Sequence, residues 1–170
     1  MRRFSFSIIV LLACLAGSVV AQQPAAGDDD VLNAVANKTN IYPAEADAKQ
    51  EIEKALKTAA AENKRILLIF GANWCYDCHV LDRALHEGAA GRIVSASFLL
   101  VHVDIGEGEK NADLLKTYRI PLAKGVPAVA VLNNDGKLLY SSGDGEFESA
   151  RTMLKKDLVA FLNQWKPPAH

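Results

Sequence analysis

The chain has 170 residues, with 19 Lys and Arg against 20 Asp and Glu and a formal net charge of −1. That balance excludes the basic surface needed to neutralise nucleic-acid phosphates, and the length suits one domain with a real core rather than two. Only 3 residues are Cys, too few for a disulfide-stapled scaffold.

The N-terminus reads as an export signal. Met1-Arg2-Arg3 is a basic start, Phe4 to Val20 is apolar with small residues interspersed, and Val19-Val20-Ala21 ends in the small residue that a signal peptidase needs. Residues 1–21 are therefore expected to be a signal peptide cleaved after Ala21. Ser5, Ser7, Gly17 and Ser18 interrupt the apolar run and Gln22-Gln23-Pro24 follows it, a pattern that disfavours a retained membrane helix. Leu11-Leu12-Ala13-Cys14 loosely resembles a bacterial lipobox, which would make Cys14 a lipidated first residue. The apolar continuation Leu15 to Val20 stands against that alternative, since a polar tether normally follows. Removal of residues 1–21 takes away Arg2 and Arg3 and no acid, so the rest of the chain is slightly more acidic. Residues 22–44 are expected to form a flexible linker, on the strength of the Pro, Ala, Gly and Asp content of Gln22 to Asp30.

A domain is expected over residues 45–166. Ala44 to Asn63 consists of strong helix formers, with Ala48, Ile52, Ala55, Leu56 and Ala59 on one stripe. Ile66 to Phe70 is a continuous apolar run of the kind found in a central strand covered on both faces. Cys75 to Glu87 has helical periodicity, with Val80, Leu81, Ala84 and Leu85 inward and Gly88 as its stop. Phe98 to Asp104 reads as another buried strand and Ala112 to Tyr118 as a short helix. Val126 to Leu132 is a strand opened by Pro127, turned by Asn134-Asp135-Gly136 into a strand over Lys137 to Tyr140, and Phe147 to Trp165 is a closing amphipathic helix. Helices alternating with strands, the last two strands antiparallel, predict an α/β sheet covered on both faces.

The chemistry is concentrated where the first strand hands over to the second helix, in Trp74-Cys75-Tyr76-Asp77-Cys78-His79. Unpaired N–H groups at a helix N-terminus favour a thiolate over a thiol. A disulfide closing so small a ring returns only about 2 kcal/mol in the chain-entropy model, which suits reversible redox chemistry better than stapling. The pair could instead begin a metal site, with two sulfurs and the neighbouring His79. No second Cys-X-X-Cys and no nearby His-rich tract completes such a set.

Phe70 to Cys75 with Cys78, Val101-His102-Val103-Asp104, Tyr118-Arg119-Ile120, and Gly125-Val126-Pro127 before an Asp-Gly hairpin together resemble the thioredoxin family over roughly residues 45–165. Within it the chain is similar to exported bacterial proteins that carry an acid inside the dithiol. The resemblance implies a thioredoxin fold, a central mixed β-sheet flanked by helices on both faces. It implies Cys75 as attacking thiol, Cys78 as resolving thiol and Pro127 as a cis-proline facing them. Trp74 would flank the dithiol as contact surface, and Val126 would offer backbone groups to an extended substrate. Departures from the family are also visible. Tyr76-Asp77 replaces Gly-Pro between the cysteines, the family's buried carboxylate falls on Ile69, and Pro121 to Lys124 lengthens the approach to Pro127.

The resulting expectation is an exported thiol-disulfide oxidoreductase, periplasmic or secreted, more a reductase than an oxidant. Copper or other metal binding at Cys75, Cys78 and His79 is the alternative. Asp77 is expected close to both sulfurs, opposing the thiolate, although an acid in a first helical turn also suits the macrodipole. Tyr76, Asp77 and His79 are thus candidate modulators, His79 being equally readable as an exposed helix residue. His86 and His102 read as structural and His170 as a tail residue. No dissociable cofactor and no resident metal are expected. Partners are protein or small-molecule thiols and disulfides and a membrane electron donor, with no nucleic acid, and the chain is expected to be a monomer.

Overall fold

The structure, a computed structural model, describes residues 30–35 and 40–168. The expected signal peptide, its cleavage point at Ala21, Cys14 and His170 lie outside the described residues.

Helix α1 spans Ala48–Glu62; the Asp47 side chain caps it by accepting from the amides of Lys49 and Gln50, and Asn63 ends it in a left-handed conformation. Strand β1 (Arg65–Gly71) follows, then α2 (Tyr76–His86), α3 (Gly88–Ser97) and β2 (Phe98–Asp104). Next come α4 (Ala112–Thr117), β3 (Ala128–Leu132), β4 (Leu138–Ser141) and α5 (Lys155–Trp165). The sheet order is β2-β1-β3-β4, with β1 and β2 parallel and the β1/β3 and β3/β4 pairs antiparallel. This is the expected mixed sheet with helices on both faces.

Strand β1 shows why its sequence is continuously apolar. Ile66, Leu68 and Phe70 pack in one cluster with α1 and α4 residues such as Ile52 and Leu115. Leu67 and Ile69 point the other way, into a second cluster with Val80 and Leu81 of α2 and Leu158 and Leu162 of α5. Strand β2 was expected to be buried like β1; it is the sheet's edge, and Leu99, Leu100 and His102 are only partly covered.

Three expectations are corrected. Gly88, read as a helix stop, opens α3, its φ of 57° making the corner between α2 and α3. Gly91 lets the two helices close: a Cβ there would sit 2.6 Å from the backbone of His86. The closing helix begins at Lys155 rather than Phe147, because Ala150–Thr152 form a 3-10 turn and Leu154 makes an isolated antiparallel bridge to Val31. Finally, the described parts of the expected linker are packed against the domain. Leu32 is buried in the α2/α5 cluster, its amide donating to the Met153 carbonyl at 2.9 Å, and Tyr42 is fully buried.

Candidate active site

Strand β1 ends at Gly71, and a tight turn closed by the Cys75 amide on the Ala72 carbonyl (3.0 Å) swings the chain into α2. Cys75 is the N-cap of that helix. Its sulfur accepts the Cys78 amide at 3.1 Å, occupying the place that a Ser or Asp oxygen takes in an ordinary cap. Cys75 and Cys78 are joined as a disulfide with Cα atoms 5.3 Å apart. Cys75 keeps 5% of its surface exposed and Cys78 none. Cys75 is thus the more exposed residue of the pair.

The Val126 carbonyl oxygen lies 3.5 Å from Cys75 Sγ, and the Val126–Pro127 peptide is cis. The longer approach to it, Pro121 to Lys124, folds as a 3-10 turn over Leu122–Lys124. Trp74 is 49% exposed beside the dithiol, its indole donating to the Gly106 carbonyl at 2.9 Å. Val126 thus borders Cys75, Trp74 is the exposed neighbour of Cys75 in the chain, and Pro127 and Cys78 are buried behind them.

Asp77 is placed differently from the expectation of a free charge opposing the thiolate. It is buried, and its carboxylate accepts the Arg151 amide at 2.8 Å and the guanidinium through Nε (3.0 and 3.1 Å) and Nη2. Burial pushes the Asp77 carboxyl up, but the hydrogen bonds and charge of Arg151 outweigh it and hold the group below the usual carboxylate range. The same guanidinium lies 5.1 Å from the centre of the Tyr76 ring. Tyr76 and Asp77 therefore face Arg151 as one unit, and the 3-10 turn that shortens α5 is what presents Arg151 to them.

His79 is buried rather than exposed, and its Nε2 donates to the Asn73 carbonyl at 2.9 Å, a tautomer dictated by an acceptor that cannot donate. That contact commits Nε2 to the backbone. Among the described residues no group of three or more His, Cys, Asp or Glu side chains could hold a metal ion, and the metal alternative gains no support. Ile69 is fully buried in the α2/α5 cluster.

Sequence reasoning missed four contributors. Arg151 carries no signal, since its partner is 74 positions away. Asp82, one turn after Cys78, accepts from His102 Nε2 at 2.9 Å, and His86 Nδ1 lies 3.6 Å from it. Burial raises its pKa, but the hydrogen bond and charge of His102, with His86 and His79, bring it below the usual range. The i, i+4 spacing from Cys78 could have drawn attention to it. Asn73 clamps the N-terminal segment: its Oδ1 accepts the Tyr42 amide at 3.0 Å and its Nδ2 donates to the Tyr42 carbonyl at 2.6 Å and to Asn40 at 2.7 Å. Tyr42 in turn packs against both cysteines.

A sequence-family model described as thioredoxin-like matches residues 47–134. The chain belongs to the thioredoxin-like family. A disulphide isomerase from Xylella fastidiosa superposes with a TM-score of 0.70 at 35% identity, over 75% of this chain and 98% of that one. Thiol:disulfide interchange proteins DsbD from Ralstonia nicotianae and Pseudomonas fluorescens are 27% and 25% identical over 86% and 94% of the chain. The chain spans only about a quarter of the length of these curated relatives, 26% and 27%. A Cys-X-X-Cys disulfide at a helix N-cap in a chain of this family fits a thiol-disulfide oxidoreductase.

Proposed function

We propose that the protein is an exported disulfide reductase acting on protein or small-molecule disulfides. The observation that carries this reading is Cys75 Sγ at the start of α2, receiving the Cys78 amide and flanked by the Val126 carbonyl. In the reduced protein the helix end and that amide favour the Cys75 thiolate. The thiolate attacks a substrate disulfide, forming a mixed disulfide and expelling one substrate thiolate. Cys78, as thiolate, then attacks Cys75 Sγ. The second substrate sulfur leaves with the bonding pair, and the Cys75–Cys78 disulfide holds the lost two electrons' worth of oxidation. The dithiol is itself the electron carrier, and we assign no dissociable cofactor.

The reducing direction rests on the surroundings of Cys78. This sulfur is fully buried and one helical turn from the Asp82 carboxylate, and both features disfavour its thiolate. A dithiol that gains little from ionising on reduction gives up its electrons more readily. The argument made from the sequence on Asp77 does not carry this direction, because Arg151 offsets that charge. Trp74, Val126 and Pro127 form the substrate-contact surface in this reading, with backbone groups of Val126 pairing an extended segment. The signal-like sequence of residues 1–21 supports export, and a monomer regenerated by a membrane electron donor completes the proposal. No helix among the described residues is long and apolar enough to cross a membrane.

Insulin reduction with dithiothreitol, together with equilibration against glutathione, tests the reading. Cys75→Ser is expected to abolish exchange and Cys78→Ser to trap mixed disulfides on non-reducing gels. A reduction potential below roughly −200 mV, in the range of thioredoxins and glutaredoxins, supports a reductase, and one above it overturns that direction. Trapping through Cys78 in Cys75→Ser would reverse the assignment of the two thiols.

A further inference from the structure

Tyr42 is fully buried, and its phenolic oxygen has no hydrogen-bond partner among the described residues. An unsatisfied buried hydroxyl is unfavourable, so its placement calls for a reason. The ring packs against Cys75 and Cys78 and meets His102 edge-on at 5.2 Å between centroids. The hydroxyl and Cys78 Sγ border the same space. A Cβ built on Gly71 would lie 2.5 Å from the Tyr42 oxygen and 2.6 Å from Cys78 Sγ. Oxygen and sulfur thus converge on the space left by the absent side chain of Gly71. Asn73 grips both the amide and the carbonyl of Tyr42, so the residue is held in this position by its backbone.

We propose that the Tyr42 hydroxyl is the hydrogen-bond donor that receives negative charge on Cys78 whenever the Cys75–Cys78 disulfide opens. The inference rests on thiol-disulfide exchange at this pair. An incoming thiolate attacks Cys75 Sγ and a new S–S bond forms. The Cys75–Cys78 bond breaks, and its electron pair leaves with Cys78 as a thiolate. One negative charge has moved from the incoming sulfur to a buried one, and Tyr42 donates to it while keeping its own proton. In the reverse step the same hydrogen bond holds Cys78 as the thiolate that attacks the mixed disulfide. While the disulfide is closed, its neutral sulfur is a weak acceptor, which accounts for the orphaned oxygen.

The groups facing this pair allow Tyr42 that role. Asp82 of α2 and Asp104 at the end of β2 act on Tyr42 and His102 meets its ring, while of the other titratable groups on α2 near Cys78, His79 bonds the Asn73 carbonyl and Asp77 is paired with Arg151. Burial, and then the carboxylates of Asp82 and Asp104, push the Tyr42 phenol far above its ordinary value, so it stays protonated and able to donate. Ile69, the sheet residue nearest in sequence on the same face, offers no polar atom.

The test compares Tyr42→Phe, which removes only the oxygen, with Tyr42→Leu, which also removes the ring. Cys78 ionisation is read from thiolate ultraviolet absorbance against pH in a Cys75→Ser background. Opening of the disulfide by dithiothreitol is followed in the otherwise wild-type protein. A hydrogen bond to a charged group of ordinary strength predicts that Tyr42→Phe raises the Cys78 pKa by about one unit and slows opening about tenfold. Tyr42→Phe matching the parent in both pH profile and rate, with only Tyr42→Leu impaired, would reduce Tyr42 to packing and overturn the proposal. A wild-type disulfide inert to dithiothreitol would sink the exchange reading itself, which distinguishes the two failures.

Discussion

Replacing Asp77 with Asn, Arg151 with Gln, and both together separates the charge of Asp77 from the charge of the pair it belongs to. Asp77 lies in the first turn of α2, two residues past Cys75, with 7% of its side chain exposed, whereas that of Arg151 is 58% exposed. Two unit charges about 7 Å apart interact by roughly 2 kcal/mol at an effective dielectric of 20. Solvent around the exposed guanidinium and salt reduce this to about 1 kcal/mol, somewhat under one pKa unit. Asp77→Asn removes a negative charge and leaves the positive one, so the Cys75 pKa should fall by about half to one unit and the reduction potential rise by at most about 30 mV. Arg151→Gln unmasks Asp77 and should move both quantities the opposite way, by less, because Arg151 is the better solvated partner. The double variant should return towards the wild type. Measurement is by iodoacetamide reactivity of Cys75 against pH and by glutathione equilibration for the four proteins. An Arg151→Gln shift of the same sign as Asp77→Asn, or a double variant no nearer the wild type than Asp77→Asn, would refute the view that the two residues act on the dithiol as a neutral pair.

Acid stability follows from the same carboxylates. Asp77 and Asp82 both have folded pKa values below the usual range. Their stabilisation is therefore fully present above the unfolded value near about 4 and is lost as pH falls through the lower folded values. Thermal melts should show a steepening loss below about pH 4 that is shallower in Asp77→Asn, and an unchanged slope in that variant would refute the assignment. Leu32→Ala should destabilise the protein by about 2–4 kcal/mol in urea or guanidinium unfolding, since Leu32 is buried against α2 and α5. A loss under about 0.5 kcal/mol would mean that residues 30–35 do not fold as part of the domain.

The strands were legible because each carries a signal that tertiary structure reinforces. The unbroken apolar run of β1 is what a strand with a cluster on either face requires, and Asp135-Gly136 closes a hairpin in which Gly136 takes a φ of 87°. Helix α3 was not legible. Its ten residues, Gly-Ala-Ala-Gly-Arg-Ile-Val-Ser-Ala-Ser, are small and include two glycines, and glycine ordinarily marks an end rather than a start. Here Gly88 supplies the corner and Gly91 the close approach to His86, both properties of a packed pair rather than of a local sequence. The amphipathic pattern from Phe147 was misleading for a related reason. Phe147 is buried ahead of a 3-10 turn and Ala150 is buried within it, so their spacing records burial without an α-helix.

At the site, the local part was readable and the long-range part was not. A Cys-X-X-Cys after a strand announces an N-capping sulfur, and Gly125-Val126-Pro127 announces what faces it. The residues that set the electrostatics come from elsewhere: Arg151 from a turn before α5, and Tyr42 from a segment whose composition suggests only a linker. Yet one feature of the motif becomes intelligible once these are known. Residues 67, 69 and 71 share one face of β1, the face under α2. Two of them are Leu67 and Ile69, which fill their space with carbon, and the third is Gly71, which leaves space for Cys78 Sγ and the Tyr42 hydroxyl. Asn73 then does what an aspartate could not, since clamping Tyr42 takes an acceptor for its amide and a donor for its carbonyl. The stretch Gly71-Ala72-Asn73 is thus fitted to an incoming tyrosine as much as to the cysteines that follow it. A sheet without a carboxylate at position 69 acquires its polar group from outside the sheet.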